Sequence, residues 1–185
     1  TELQKKDAIW FHTVSVGEFI AAVPLIEQVM AAYPNKPIVI TTTTPTGSDQ
    51  VKKRFAHELG KRLTHVYLPY DLPWFLSAFL RRVKPRLLII LETELWPNLI
   101  HSCSKYGTRV LVANARLSEK SAKGYGKLAK LSAQMLANID CLAVQNATDG
   151  QRFLNLGLKE SSMEVTGSIK FDLTIKDELI AQGQA

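Results

Sequence analysis

The chain of 185 residues is poor in cysteine and has no long apolar run. Its two cysteines, Cys103 and Cys141, stand far apart and match no metal-binding spacing. Two thiols in a chain of this size fit a reduced, cytosolic protein rather than a disulfide scaffold. No apolar run approaches the roughly 20 residues that cross a bilayer, and the central run at 87–91 is far too short. Residues 1–7 are polar and charged, so no secretory leader is expected in this sequence. Any membrane link must come from the surface or from sequence outside the chain. Two phosphate-binding signatures are also missing. Residues 41–48 (TTTTPTGS) lack the Gly-Lys-Ser/Thr ending of a P-loop, and residues 15–17 lack the three-glycine dinucleotide fingerprint. There is no internal repeat and no low-complexity linker.

Hydrophobic residues make up 46% of the chain and charged residues 22%, which excludes a disordered or fibrous protein. The length suits one domain with a real core. Lys and Arg exceed Asp and Glu by 23 − 17, a net charge of +6. A basic balance favours an anionic partner: nucleic acid, a phosphorylated substrate or acidic lipid. The chain shows neither a dense Lys/Arg helix nor an aromatic–basic β platform, which argues against nucleic acid.

Short β-rich runs alternate with helical stretches. Strands are expected over 8–14, 37–43, 64–68, 86–91, 109–113, 141–144 and 163–166. Helices are expected over 17–32, 46–59, 72–83, 96–106, 121–138 and 147–156, with 173–182 also helical in pattern. This alternation predicts right-handed crossovers and an α/β fold: a Rossmann-like three-layer α/β/α domain with a mainly parallel sheet. In such sheets ligands bind beyond the carboxyl ends of the strands, so the residues after each strand carry the information.

After the first strand, Gly17 is expected to let the chain turn tightly into the helix, and Glu18 falls in the first helical turn. Glu18 admits two readings. It is a carboxylate favoured there by the helix dipole, or a general base that the same dipole keeps ionised. His12 reads as a packed core imidazole. Residues 41–48 offer a hydroxyl-rich helix start that suits an anion. Thr44 or Thr46 can equally be an N-cap there, with Pro45 in the first turn. Glu92 and Glu94 follow the most apolar strand. Two carboxylates at a buried strand end are costly without partners. One is expected to face the cleft, and the other to cap the next helix or pair with an Arg. Arg116 follows the fifth strand. It either grips a phosphate or carboxylate by two prongs or neutralises Glu92 or Glu94. Lys170, after the turn at Gly167, points toward the same rim. In the 72–83 helix, Trp74, Phe75, Phe79 and Leu80 lie beside Arg81, Arg82 and Lys84. That set suits an anionic membrane surface, but most of these apolar residues are expected to pack on the sheet, with one of the adjacent pair Trp74 and Phe75 exposed.

Seven stretches together carry a family resemblance. They are 11–18 (FHTVSVGE), 43–48 (TTPTGS), 66–73 (VYLPYDLP), 92–99 (ETELWPNL), 114–118 (NARLS), Gln145-Asn146 with Asp149-Gly150, and 166–172 (TGSIKFD). In order and spacing the chain resembles the N-terminal domain of the 3-deoxy-D-manno-octulosonic acid (Kdo) transferases of lipopolysaccharide synthesis. The resemblance implies one half of a GT-B glycosyltransferase, with residues 1–172 as the acceptor-side domain and 173–185 as the start of a linker. It implies an inverting transfer of Kdo from CMP-Kdo to a lipid A precursor (lipid IVA) at the cytoplasmic face of the inner membrane. CMP-Kdo would be held by a C-terminal domain absent from this chain, and a membrane-anchoring segment is absent too. The chain alone is therefore expected to fold but not to transfer sugar. The resemblance gives Glu18 the role of general base, and Glu92 and Lys170 that of stabilising the transition state. Ser15, Gly17, Thr44, Thr46, Glu94 and Arg116 are the expected substrate-contacting positions. No metal and no cofactor is implied. The alternative is a non-catalytic Rossmann-like module that binds a phosphorylated or nucleotide ligand.

Overall fold

The computed structural model describes residues 7–169. Seven strands form one parallel sheet in the order β3-β2-β1-β4-β5-β6-β7. They are β1 (Ala8–His12), β2 (Ile38–Thr42), β3 (Leu63–Tyr67), β4 (Pro85–Leu91), β5 (Arg109–Ala115), β6 (Cys141–Val144) and β7 (Met163–Val165). Seven α-helices connect them: α1 (Val16–Ala32), α2 (Pro45–Arg54), α3 (Pro73–Val83), α4 (Pro97–Lys105), α5 (Glu119–Gly126), α6 (Ala129–Leu136) and α7 (Ala147–Asn155). The Rossmann-like α/β expectation holds. The order of the strands reverses between β1 and β4, which are parallel neighbours, Phe11 opposite Ile89 and His12 opposite Ile90. That reversal opens the crevice where ligands of such sheets bind.

Both faces of the central strands are covered, so they read as apolar almost without alternation. On one face α1 and α2 bury Phe19, Ile26 and Val51 against Phe11, Ile40 and Ile89. On the other, α3, α4, α6 and α7 bury Leu80, Leu99, Leu136 and Phe153 against Trp10, Leu88 and Val112. Trp10 is fully buried, and its indole N–H finds the Thr41 hydroxyl at 2.8 Å. Gly150 lies where α7 meets β7. A Cβ there would come within 2.7 Å of the Met163 sulfur.

Three expected helices differ in the structure. The 121–138 helix is two helices, α5 and α6. Gly124 and Gly126 weaken helix at the joint, and the Tyr125 carbonyl there accepts from Leu128 N–H at 3.0 Å and from the Ser132 hydroxyl at 2.8 Å. The 46–59 helix ends at Arg54, because Phe55 turns into the core and is 6% exposed. The first helix opens at Val16, and Gly17 lies inside it without positive φ. The tight-turn role expected for Gly17 is not what the backbone uses. A Cβ there would meet only the Ser15 hydroxyl, at 3.8 Å, so the glycine leaves the start of α1 bare. Lys170, the 173–182 helix and the 172/173 boundary lie outside the described residues.

One helix start is capped from a distance. Trp96 precedes α4 and offers no side-chain cap. Asp71, in the loop after β3, supplies it instead: Oδ1 accepts from Leu99 N–H at 2.8 Å and Oδ2 from Asn98 N–H at 3.3 Å. Two rim loops are thereby tied together. Asp71→Ala is expected to cost this chain about 1 kcal/mol, read as a lower urea midpoint. An unchanged midpoint would dismiss the cap.

Candidate active site

The Glu18 carboxylate folds back over the end of β1. Val14 N–H donates to Oε2 at 2.7 Å and the Ser15 hydroxyl to Oε1 at 2.9 Å. Ser15 Oγ accepts from Glu18 N–H at 3.2 Å. Ser15 and Glu18 thus form a reciprocal cap at the start of α1. Glu18 is 9% exposed. Burial raises its pKa above the ordinary 4.5, the two hydrogen bonds pull it back, and the negative charges of Glu94 and Glu92 raise it again. The dipole-lowered pKa expected from sequence is overturned. At a buried rim among like charges, desolvation outweighs the helix end.

Glu92 closes β4 in the left-handed region, at φ 57°. Its N–H donates to Ala113 O at 2.9 Å. The neighbouring Thr93 hydroxyl donates to Arg116 O, and Arg116 Nε stands 3.9 Å from Glu92 Oε2. That contact is long and the Arg116 side chain is 62% exposed, so it holds the guanidinium weakly. Glu94 does not cap α4. Its Oε2 accepts from the Trp96 indole N–H at 3.1 Å. A polar groove of about 440 Å³ runs between Glu92, Glu94 and Arg116 on one side and Ser118, Ser121 and Asp149 on the other. Glu18 lies outside the residues that line it, coupled to it by charge.

Thr44 is the N-cap of α2, its Oγ accepting from Gly47 N–H at 3.1 Å, and Thr46 is exposed beside it. Pro45 is in the first turn, as expected. These threonines stand beyond β2, on the side of β1 away from β4. His12 is the core imidazole that the sequence suggests. It is fully buried, pushed down to about 4 by that burial, and packed edge-on to Trp96. Cys103 is a buried free thiol whose pKa burial pushes up to about 12.

The sequence reading attached no role to several rim residues. Tyr125, packed near Glu94, has its phenol pKa raised by burial and then by that carboxylate. Arg152 reaches from α7 to Leu117 O and Asp149 Oδ1, at 2.8 and 2.7 Å. Asn114 is buried in β5 at φ 57°, the second non-glycine left-handed residue on this rim. The sequence does not display that φ. Among the described residues no three His, Cys, Asp or Glu side chains are grouped as metal ligands, and no helix is long and apolar enough to cross a membrane.

Residues 1–173 match the family model of 3-deoxy-D-manno-octulosonic-acid transferase (kdotransferase). The chain belongs to the Kdo transferase family. It is 44% identical over 172 residues to the 3-deoxy-D-manno-octulosonic acid transferase of Haemophilus influenzae, covering 93% of this chain and 39% of that protein. It is 33% identical to the transferase of Bordetella pertussis, covering 96% of the chain and 41% of the relative. A bifunctional glycosyltransferase/methyltransferase of Fusobacterium nucleatum is 31% identical over 95% of this chain and 27% of its own length. The chain thus spans about two-fifths of the Kdo transferases it matches most clearly. Among solved structures, the UDP-GlcNAc 2-epimerase of Methanocaldococcus jannaschii superposes with a TM-score of 0.63 at 16% identity, over 96% of this chain and 49% of that one. The Neisseria meningitidis epimerase bound to UDP-GlcNAc gives 0.62 at 14%, over 96% of this chain and 53% of its own. At such identities the likeness concerns the fold.

The raised Glu18 pKa has a readable consequence. The folded chain holds the Glu18 proton more tightly than the unfolded one, so this group's contribution to stability falls as pH rises from 4.5 to the folded midpoint. Carbon-detected NMR titration of this chain should give Glu18 a midpoint above 4.5, and Glu94→Gln should lower it. A midpoint at or below the ordinary value removes the raised pKa, and a midpoint that Glu94→Gln leaves unchanged removes the charge coupling across the rim.

Proposed function

We propose that this chain is the acceptor-side half of a metal-independent, inverting Kdo transferase that moves Kdo from CMP-Kdo to a phosphorylated, acylated glucosamine disaccharide, the lipid A precursor. Family membership supports the reaction class. What supports the site is that β1 and β4 end side by side, so that Glu18 after the one and Glu92 and Glu94 after the other stand on one rim, near enough for the two charges to raise the Glu18 pKa. An acceptor hydroxyl is a poor nucleophile until its proton is taken. Glu18 takes that proton as the hydroxyl oxygen bonds to the anomeric carbon of Kdo. The bond from that carbon to the donor phosphate breaks, and CMP leaves with the electron pair. A carboxylate with a raised pKa binds the proton more tightly than an ordinary one. Both oxygens already accept hydrogen bonds, yet each retains a lone pair for the substrate. Glu92 steadies the positive charge growing on the sugar, and Lys170 the charge on the leaving phosphate or the sugar carboxylate. Arg116, weakly held, meets an anionic group of the substrate, with Ser15, Gly17, Thr44, Thr46 and Glu94 lining its approach. No cofactor takes part in this reading. A donor domain beyond this chain carries CMP-Kdo, so the chain alone transfers nothing.

A second reading is favoured by one observation: both Glu18 oxygens are engaged in capping. In it Glu18 is structural and the domain only binds its ligand. In a complete transferase carrying this domain, Glu18→Gln separates the two. The catalytic reading expects Kdo transfer to fall about 10²- to 10⁴-fold with a melting point little changed. Transfer close to wild type would leave the structural reading.

The acceptor is a lipid, and an exposed aromatic surface supports docking at the cytoplasmic face of the inner membrane. Trp74 is 65% exposed and Phe75 46%, so both adjacent aromatics face solvent, where one was expected. Phe75 stacks near Trp74 and Tyr70, at 6.3 and 6.5 Å. Phe79 instead packs on Trp10 at 4.9 Å, and Leu80 is buried. Arg81 and Arg82 stand exposed in the last turn of the same helix. Aromatics at an interface with cations beside them suit anionic headgroups. This chain should co-sediment with phosphatidylglycerol vesicles, and Trp74→Ser with Phe75→Ser should reduce that binding several-fold. Equal binding by the double variant would remove the patch from the docking surface.

A further inference from the structure

We infer that a basic groove at the opposite edge of the sheet from the candidate active site binds a phosphate group, carried by a soluble phosphate ester or by a phospholipid headgroup. The parallel strands all begin at this edge, roughly 20 Å from where β4 ends. The groove has a volume of about 540 Å³. Asp7 reaches it from just before β1, Arg81 and Lys84 from the end of α3, Arg86 from the start of β4, and Tyr106 and Thr108 from the turn between α4 and β5. The Thr108 hydroxyl donates to Pro85 O at 2.8 Å, which ties the starts of β4 and β5 together beneath it.

The charge of the groove is one-sided. Arg81, Lys84 and Arg86 are all exposed, and among the described residues none of them forms an ion pair. The acid in the lining, Asp7, is paired instead with Lys36, at 3.7 Å. Cations gathered in a concave site without a counter-charge raise the local positive potential. Guanidinium groups beside an ammonium suit the several oxygens of a phosphate. Arg81, in the last turn of α3, also suits the negative end of that helix. Arg86 belongs to β4, so the helix end does not account for it. The backbone is a second, independent sign. Four described non-glycine residues have positive φ, and two of them line this groove: Asp7 at 62° and Lys84 at 46°. Lys84 caps α3, its N–H donating to Leu80 O at 2.8 Å, in the left-handed position that glycine usually fills. A lysine there gives up the ease of glycine and gains a cation at the groove. Unfavourable backbone of this kind gathers at functional sites. At Gly107, also in the lining, a Cβ would meet nothing within 4 Å, so the space above that backbone is open to a ligand.

The test titrates this chain with inorganic phosphate at constant ionic strength, which holds general screening fixed, and follows backbone amides by NMR. The Gly107 and Thr108 amides should shift saturably. Arg81→Gln with Arg86→Gln should weaken phosphate binding about tenfold. Lys120→Gln with Lys127→Gln removes the same charge around α5 and should change it less than about twofold. Lys84→Gly should raise the melting point, because glycine fits the turn, and still weaken binding several-fold. Co-sedimentation with phosphatidylglycerol vesicles, against phosphatidylcholine vesicles, separates the two sources. A saturable phosphate shift that the groove variant loses assigns a soluble ester. No such shift, with phosphatidylglycerol binding reduced by the groove variant and kept by the α5 variant, assigns a headgroup. Equal losses in the two double variants overturn the inference, since net charge then explains them. Absence of both the phosphate shift and a groove-specific loss of vesicle binding overturns it as well. So does a Lys84→Gly chain that binds as tightly as wild type. These variants leave Trp74 and Phe75 in place, so failure here does not touch the aromatic docking surface.

Discussion

β1 and β4 are hydrogen-bonded neighbours although α1, β2, α2, β3 and α3 all intervene between them in sequence. Their pairing is held by apolar side chains on both faces, Phe11 and Ile89 toward α1, Trp10 and Leu88 toward α3 and α4. Because the pair is parallel, both strands end on the same edge. Because it is the point of reversal, helices leave toward opposite sides and a crevice stays open. The carboxylates that follow the two strands therefore share one rim, near enough for Glu94 and Glu92 to raise the Glu18 pKa.

Bringing like charges together at a half-buried edge raises the free energy of the ionised forms. The domain meets this with local donors. Val14 N–H and the Ser15 hydroxyl hold Glu18, the Trp96 indole holds Glu94, and Arg116 stands near Glu92. Away from this rim, Arg81 in α3 and Lys120, Lys123 and Lys127 around α5 line open surface.

The backbone along this edge departs from ordinary strand geometry at two places, Glu92 and Asn114, both near φ 57°. Neither departure shows in composition or periodicity. Both turn a residue just as its strand ends, and both are fastened by bonds between strands: Glu92 N–H to Ala113, Gln145 N–H to Ala115, Ile169 N–H to Asn114. Cross-bracing of this kind holds the strand ends in place.

Several features were readable from the residues alone. All seven strands and most of the helices between them follow from apolar runs and helical spacing, because local periodicity is what burial on a sheet or helix face demands. His12 as a core side chain, Thr44 as a cap and the rim positions of Glu18, Glu92 and Arg116 were legible for the same reason: each sits at a fixed offset from an element end. The broken 121–138 helix, the exposure of both Trp74 and Phe75, the direction of the Glu18 pKa shift and the remote cap by Asp71 were not. Each depends on what a distant segment brings near: Ser132 to the Tyr125 carbonyl, Glu94 to Glu18, α4 to Asp71. Sequence determined which segments form strands and helices, since that is decided within a few residues. Tertiary structure decided which charges and donors share a neighbourhood, since desolvation and Coulomb energy depend on distance in space and not along the chain.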